Sequence, residues 1–314
     1  MLKVILFAAI AALSAYAAHA DTFRFVALGD MAYGDPAVDY PRLEALIDAI
    51  NERNPTFTIH LGDTKSGNAP CSDEVLLKQR DFMNRFTGAL IYTPGDNEWT
   101  DCHKAGAFDP RERLSFIRQN YFPSPNSLGK KPLKLIRQAD LMPEFASFVE
   151  NARFSHGGIA FATVHVVGSN NGFETHDPAA ATEFFARNKA NIAWLNAAFG
   201  AAVRDNAKGL VLALHANMFE FDFNELGRKR HLRHSGFKSF AEALVKRAEA
   251  FTRPVLLVYG DSHIFRIYRP YRRKPANLVA LEVFGAPDMH AVEITVDPDD
   301  PAIWSFRPIY NPAP

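Results

Sequence analysis

Five apolar runs in this chain each end in a turn that carries Asp, Asn or His. They read Phe25-Val26-Ala27-Leu28-Gly29-Asp30, Ile59-His60-Leu61-Gly62-Asp63, Ile91-Tyr92-Thr93-Pro94-Gly95-Asp96-Asn97-Glu98, Leu212-Ala213-Leu214-His215 and Leu257-Val258-Tyr259-Gly260-Asp261-Ser262-His263. Each run has the length and character of a buried strand. A glycine before the acid allows a sharp turn and a close approach of backbone to ligand. Parallel strands ending side by side would gather these residues at one edge of a sheet, where α/β folds place their sites. Carboxylates and imidazoles crowded there repel or stay unpaired unless cations bind, so the pattern points to metal.

The spacing between these turns predicts helices. Strands are expected over Phe23 to Leu28, Thr56 to Leu61 and Ala89 to Thr93, with helices over Tyr40 to Arg53 and Asp73 to Phe86. Leu43, Leu46, Ile47 and Ile50 fall on one face of the first helix. That order implies right-handed crossovers and a parallel sheet. Arg111 to Asn120 reads as a helix, and Tyr121 to Pro132 as an exposed loop. Phe154-Ser155 and Ile159 to Val167 read as a hairpin around His156-Gly157-Gly158. A long helix is expected over Ala179 to Phe199, capped by Asp177-Pro178. Further on, Gly209 to Leu214 and Pro254 to Tyr259 are strands, with a helix over Phe237 to Phe251 between them. Leu278 to Phe284, Met289 to Val296 and Ile303 to Pro308 read as closing antiparallel strands. No repeat or linker interrupts the pattern, so residues 21–314 read as one domain.

The 314 residues suffice for a large core, and 47% hydrophobic with 22% charged content is ordinary for a globular protein. Formal net charge is zero, which gives no signal for nucleic-acid binding. Residues 1–20 carry a Lys3 charge, an apolar stretch from Val4 to Leu13 and an Ala18-His19-Ala20 site, the pattern of a secretory signal peptide cleaved after Ala20. No later segment is apolar enough to span a membrane. A periplasmic or secreted location follows. In that oxidising setting the two cysteines, Cys71 and Cys102, are expected to form a disulfide rather than remain free thiols.

The ordered turns resemble those of the calcineurin-like metallophosphoesterase superfamily, which includes the purple acid phosphatases. The resemblance runs from Asp30 to His263. It implies a four-layer α/β/β/α sandwich with mixed sheets flanked by helices and two metals at one edge. It implies Asp30, Tyr33 and His263 on one ion, Asp96, His215 and Asp261 on the other, and Asp63 bridging both. The ions would be divalent or trivalent, from among Mn, Fe, Zn and Mg. Four positions depart from the family pattern. Ala32 stands where a histidine is usual, with Tyr33 beside it. Asp261 replaces a histidine and Asp96 an asparagine, which makes the site more oxygen-rich and favours harder ions such as Mn, Mg or Ca. Asn97 replaces the histidine that assists the leaving group, and an amide cannot transfer a proton near neutral pH.

The activity implied is hydrolysis of phosphate mono- or diesters on a small phosphorylated substrate, with a metal-bound hydroxide as nucleophile. Asn97 would orient the phosphate, and His103 is either a substitute acid or a surface histidine. The departures leave open a second class of function, a catalytically silent binding protein in the periplasm. Arg228-Lys229-Arg230-His231-Leu232-Arg233-His234 is a basic run that either steers anions or is a solvated face. Ser169-Asn170-Asn171-Gly172 either lines the cleft or is a plain turn. Phe219-Glu220-Phe221-Asp222-Phe223 is either a substrate wall or a half-buried strand.

Overall fold

The structure is a computed structural model. It describes residues 21–219, 228–271 and 273–313, with the side chains of 228–233 left aside. The signal-peptide reading, Glu220 to Phe223 and the side chains of Arg228 to Arg233 therefore lie outside the described residues.

Two mixed sheets lie face to face. The first has the order β12-β11-β1-β2-β3 and the second β4-β5-β6-β7-β8-β10-β9. In the first, β1 (Phe23–Leu28), β2 (Phe57–His60) and β3 (Ala89–Tyr92) run parallel, and β11 (Ala291–Val296) with β12 (Trp304–Ile309) closes its other side antiparallel. In the second, β6 (Ile159–Thr163), β7 (Gly209–Ala213) and β8 (Val255–Tyr259) run parallel. β5 (Ala152–His156) pairs antiparallel to β6 through the Gly157-Gly158 turn, and the short β4 (Ile136–Arg137) pairs antiparallel to β5.

Every residue of β2, β3, β6, β7 and β8 is buried, because both faces of each sheet are covered. Between the sheets, Phe25, Phe57, Phe161, Val211 and Leu256 belong to one apolar cluster. The Phe25 ring stacks on Phe57 at 5.3 Å and meets Phe161 edge-on at 5.5 Å. Burying each such ring contributes about 1.5 to 3 kcal/mol. Leu43, Leu46, Ile47 and Ile50 of helix Pro36–Arg53 cover the outer face of the first sheet, with Phe82 of helix Asp73–Met83 and Leu114 and Ile117 of helix Pro110–Tyr121. Trp194, Leu195 and Phe199 of helix Pro178–Arg204, and Phe240 and Leu244 of helix Arg228–Phe251, cover the second. This is the four-layer α/β/β/α arrangement.

The helix expected over Phe237 to Phe251 begins earlier, at Arg228, and three further expectations change. The first helix starts at Pro36 rather than Tyr40: Asp35 accepts from the Ala37 N–H and caps it, and Pro41 is tolerated within it. The run from Leu278 is β10 (Leu278–Glu282), which pairs parallel to β8 and antiparallel to the short edge strand β9 (Arg266–Tyr268). Only β11 and β12 form the expected antiparallel closure. Residues 122–132 are not a free loop: Leu128 exchanges backbone hydrogen bonds of 2.8 and 2.9 Å with Leu90 and straps the edge of β3.

Candidate metal centre

The carboxyl ends of β1, β2 and β3 deliver Asp30, Asp63 and Asp96, and those of β7 and β8 deliver His215, Asp261 and His263. Ligand atoms of Asp30, Asp63 and His215 lie within 4.8 Å of one another, and so do those of Asp96, His215 and Asp261. His263 reaches the same edge, with Nε2 3.8 Å from Asp30 Oδ1. The centre therefore straddles both sheets, and His215 stands between the two groups.

The turns are sharp. Asp30 (φ 56), Asp63 (φ 52), Asp261 (φ 81) and His263 (φ 61) all take left-handed backbone conformations. For residues other than glycine this costs of order 1 to 3 kcal/mol each, and such strain collects at functional sites. Two glycines make room for the crowding. A Cβ at Gly260 would stand 1.9 Å from Asp30 Oδ2, and one at Gly95 would stand 2.1 Å from Asp63 Oδ1.

Both histidines are anchored the same way. His215 Nδ1 is 2.8 Å from the Leu61 carbonyl, and His263 Nδ1 is 2.8 Å from the Ala286 carbonyl. Each Nδ1–H donates to its carbonyl, which leaves Nε2 facing the carboxylates. That is how metal-ligating histidines are oriented. The His215 Nε2 lies 2.9 Å from Asp96 Oδ1 and 3.4 Å from Asp63 Oδ1. Asp63 is held by three donors: the Asn97 backbone N–H at 2.9 Å, the Tyr33 hydroxyl at 2.6 Å and the Asn97 side-chain amide. Asp30 accepts the Asp261 N–H on Oδ1 at 2.9 Å, while its buried Oδ2 has no partner among the described residues.

The electrostatics describe a site built for positive charge. Burial pushes the carboxyls of Asp30 and Asp63 well above the ordinary carboxylate range, and neighbouring acids add to the rise against the pull of His215. Burial opposes protonation of His215, but Asp63, Asp96 and Asp30 outweigh it and hold its pKa well above the usual value. Asp96 is also buried, yet its bonds to His215 and Ser169 bring it below the ordinary range. Raised carboxyls beside a raised histidine mark crowded like charge, which a bound cation would relieve. The residues fit the ions that the sequence implied: carboxylate oxygens in excess, two imidazole lone pairs and an orphaned oxygen on Asp30.

Tyr33 is present, packed edge-on against His263 at 5.1 Å between ring centroids, but its hydroxyl bonds Asp63. Burial, then Asp63, pushes that phenol well above its usual pKa. His103 stands apart. It is exposed, its Nδ1 lies 2.8 Å from the Thr100 carbonyl, and it lines a cavity with Trp99, Arg111 and Glu174. Cys71 and Cys102 form the expected disulfide, with Cα atoms 5.6 Å apart, and their sulfurs lie 3.5 and 3.7 Å from the Asn97 carbonyl.

Further residues support the site through contacts between turns. Glu98 is fully buried and accepts the Thr64 N–H at 2.8 Å, tying the second turn to the third. Lys65 is 2% exposed, donates to the Ser66 and Ala69 carbonyls, and has its pKa lowered by burial against the pull of Glu98 and Asp63. The Asn217 N–H donates to Asp261 Oδ2 at 2.9 Å. Its position two residues beyond His215 is the one clue it offered. Ser169 lies against Asp96 and Asp101, so the 169–172 segment belongs to the wall of the centre.

No protein-family model matches the chain, and no curated protein does. Among solved structures, a purple acid phosphatase, PPD1, from seeds of yellow lupin (Lupinus luteus) superposes with a TM-score of 0.52 at 12% identity, covering 93% of this chain and 54% of that one. TT1561 of Thermus thermophilus gives 0.49 at 8% identity over 92% of this chain and 99% of its own. A 5'-nucleotidase from Candida albicans gives 0.47 at 11% identity over 91% and 50%. The chain spans about half the length of the lupin and Candida proteins. The likeness to the lupin enzyme shows the fold, and it is the metallophosphoesterase fold that the strand-end turns implied.

Proposed function

We propose that residues 21–314 form an exported, metal-dependent hydrolase of phosphate esters that acts on small phosphorylated substrates. The observation that carries the proposal is the pair of histidines, His215 and His263. Both are tied through Nδ1 to a backbone carbonyl, and both turn Nε2 toward buried carboxylates from strand ends. A purely structural cluster of this kind would leave several charges uncompensated. The fold shared with a purple acid phosphatase supports the reading. The disulfide supports the exported location. Among the described residues, no helix is long and apolar enough to cross a membrane.

In this reading Asp30 and His263 hold one ion, Asp96, His215 and Asp261 hold the other, and Asp63 lies between them. Two such ions supply Lewis-acid charge to a phosphoryl group and a nucleophile at neutral pH. The residues do the rest. Asn97 and Tyr33 orient Asp63 through three hydrogen bonds. Asn97 has both amide N–H groups committed to Asp63 and Tyr33, and it has no proton to give the leaving group. Tyr33 holds its proton tightly, so it is a poor acid near neutral pH.

Turnover of p-nitrophenyl phosphate by metal-stripped protein resupplied with Mn, Fe, Zn or Mg tests the proposal. Absence of turnover with every ion, despite measured metal uptake, would favour a silent binding protein. The specific observation behind that second reading is Asn97, whose side-chain amide is engaged with Asp63 and Tyr33.

A further inference from the structure

Gly168 to Gly172 follows the end of β6, where the strands on either side contribute no acid to the centre. Ser169 (φ 49), Asn170 (φ 56), Asn171 (φ 57) and Gly172 (φ 65) are four consecutive left-handed residues. L-residues adopt this conformation singly, so a run of them needs outside support. Its product is the placement of one hydroxyl. Ser169 Oγ lies 2.8 Å from Asp96 Oδ2 and 2.9 Å from Asp101 Oδ1.

The support comes from Arg187, a fully buried residue on the helix Pro178–Arg204. All five of its N–H groups are used. One Nη donates to the His165 carbonyl at 3.1 Å and to Asn171 Oδ1 at 2.6 Å. The other donates to the Asn171 carbonyl at 2.8 Å and to Glu183 at 3.0 Å, and Nε donates to Glu183 at 2.8 Å. The guanidinium also lies 5.1 Å from the centre of the Trp99 ring. Trp99 sits three residues beyond Asp96 in the third turn. One side chain thus grips both segments that meet at Asp96. A guanidinium with every donor engaged inside the fold has none left for substrate, which assigns it to positioning.

We infer that Arg187 and Ser169 form a positioning device for Asp96, with Arg187 holding the left-handed turn and the Trp99 segment in register and Ser169 fixing the orientation of the Asp96 carboxylate toward one of the two ions. The inference rests on the reading of this cluster as a metal centre. Lysine cannot replace the arginine, because it has three donors and no planar fork. Outer contacts of this kind typically tune metal affinity 10- to 100-fold.

The test is manganese titration of the metal-stripped full-length protein by calorimetry, with cobalt(II) visible absorption as a second readout. Ser169→Ala should weaken one of the two ions roughly 10- to 100-fold, change the cobalt spectrum and leave the other ion unaffected. Arg187→Lys should weaken the same ion, and the double variant should lose little more than the worse single variant, because both act through one turn. Unchanged affinity and spectrum in Ser169→Ala, or fully additive losses in the double variant, overturn the inference. Circular dichroism identifies an unfolded Arg187→Lys, and Ser169→Ala, which removes one hydroxyl, then decides. A natural protein that takes up no ion overturns the proposed function as well, so the two failures are told apart.

Discussion

His215 Nε2 stands 2.9 Å from Asp96 Oδ1, so a side chain from the second sheet meets the acid that ends β3 of the first. The pair lies among buried carboxyls whose pKa values are raised, so a cation taken up there would compete with protons.

Stability should therefore respond to metal, and more so at higher pH. Asp30, Asp63 and His215 have folded pKa values raised above their unfolded ones. Their contributions are present at low pH and are lost as pH rises through the raised values. Asp96 runs the other way, but only below its ordinary value near 3.8. Metal-free protein should therefore be less stable at about pH 8.5 than at about pH 5.5. Manganese at a hundredfold excess over Kd should restore about 2.7 kcal/mol, a rise in Tm of roughly 4 to 5 °C. Scanning calorimetry with and without manganese at both pH values measures this. A shift that is equal at both, or that survives Asp63→Asn, counts against the centre.

His60 offers a pH effect of opposite sign. Burial, with some help from charge on His215, lowers its pKa from 6.5 to about 3. The unfolded chain binds that proton more readily, so stability is present above 6.5 and declines as pH falls toward 3. In chelator, the natural protein should lose stability relative to His60→Gln across that window. Parallel denaturant midpoints for the two proteins from pH 7 to pH 4 would contradict the assignment.

The disulfide closes a loop with a sequence separation of 31. In the chain-entropy model, such a bridge contributes about 3 to 4 kcal/mol. Cys71→Ser with Cys102→Ser should lower Tm by roughly 5 to 7 °C. Because both sulfurs flank the Asn97 carbonyl, the variant should also bind manganese more weakly. Thermal melts and titrations of the double variant report the two effects separately.

Leaving-group chemistry tests Asn97. Without a positioned acid, aryl phosphates should be cleaved and alkyl phosphates should lag by roughly 100- to 10,000-fold beyond their intrinsic difference. Asn97→His should recover rate chiefly on alkyl esters. Equal rates on both classes in the natural protein would mean that another group supplies the proton.

The five strand ends were readable because a buried strand announces itself as an unbroken apolar run, and the glycine before the acid marks where it stops. From these the helices between β1, β2 and β3 follow by necessity of crossover. The direction of β10 was not readable. Leu278 to Glu282 is apolar whichever way it pairs, and the three-residue β9 that reverses the chain before it is too short to leave a pattern. The start of the first helix was obscured by Pro41, although Asp35-Pro36 is itself a start signal. Supporting residues such as Lys65, Asn217 and Arg187 were hidden for a common reason. Their roles depend on partners from other strand ends or from distant elements, and local sequence carries no trace of that.

Because the centre draws Asp30, Asp63 and Asp96 from one sheet and His215, Asp261 and His263 from the other, bound ions would act as rivets across the seam of the sandwich. Any slippage of one sheet over the other would alter the spacing of the ligands before it disturbed any single turn. Repacking at Phe25, Phe57 or Phe161, in the layer between the sheets, should therefore register as altered ion affinity at the rim. Such a core change reports on the alignment of the two halves much as a vernier reports on two scales.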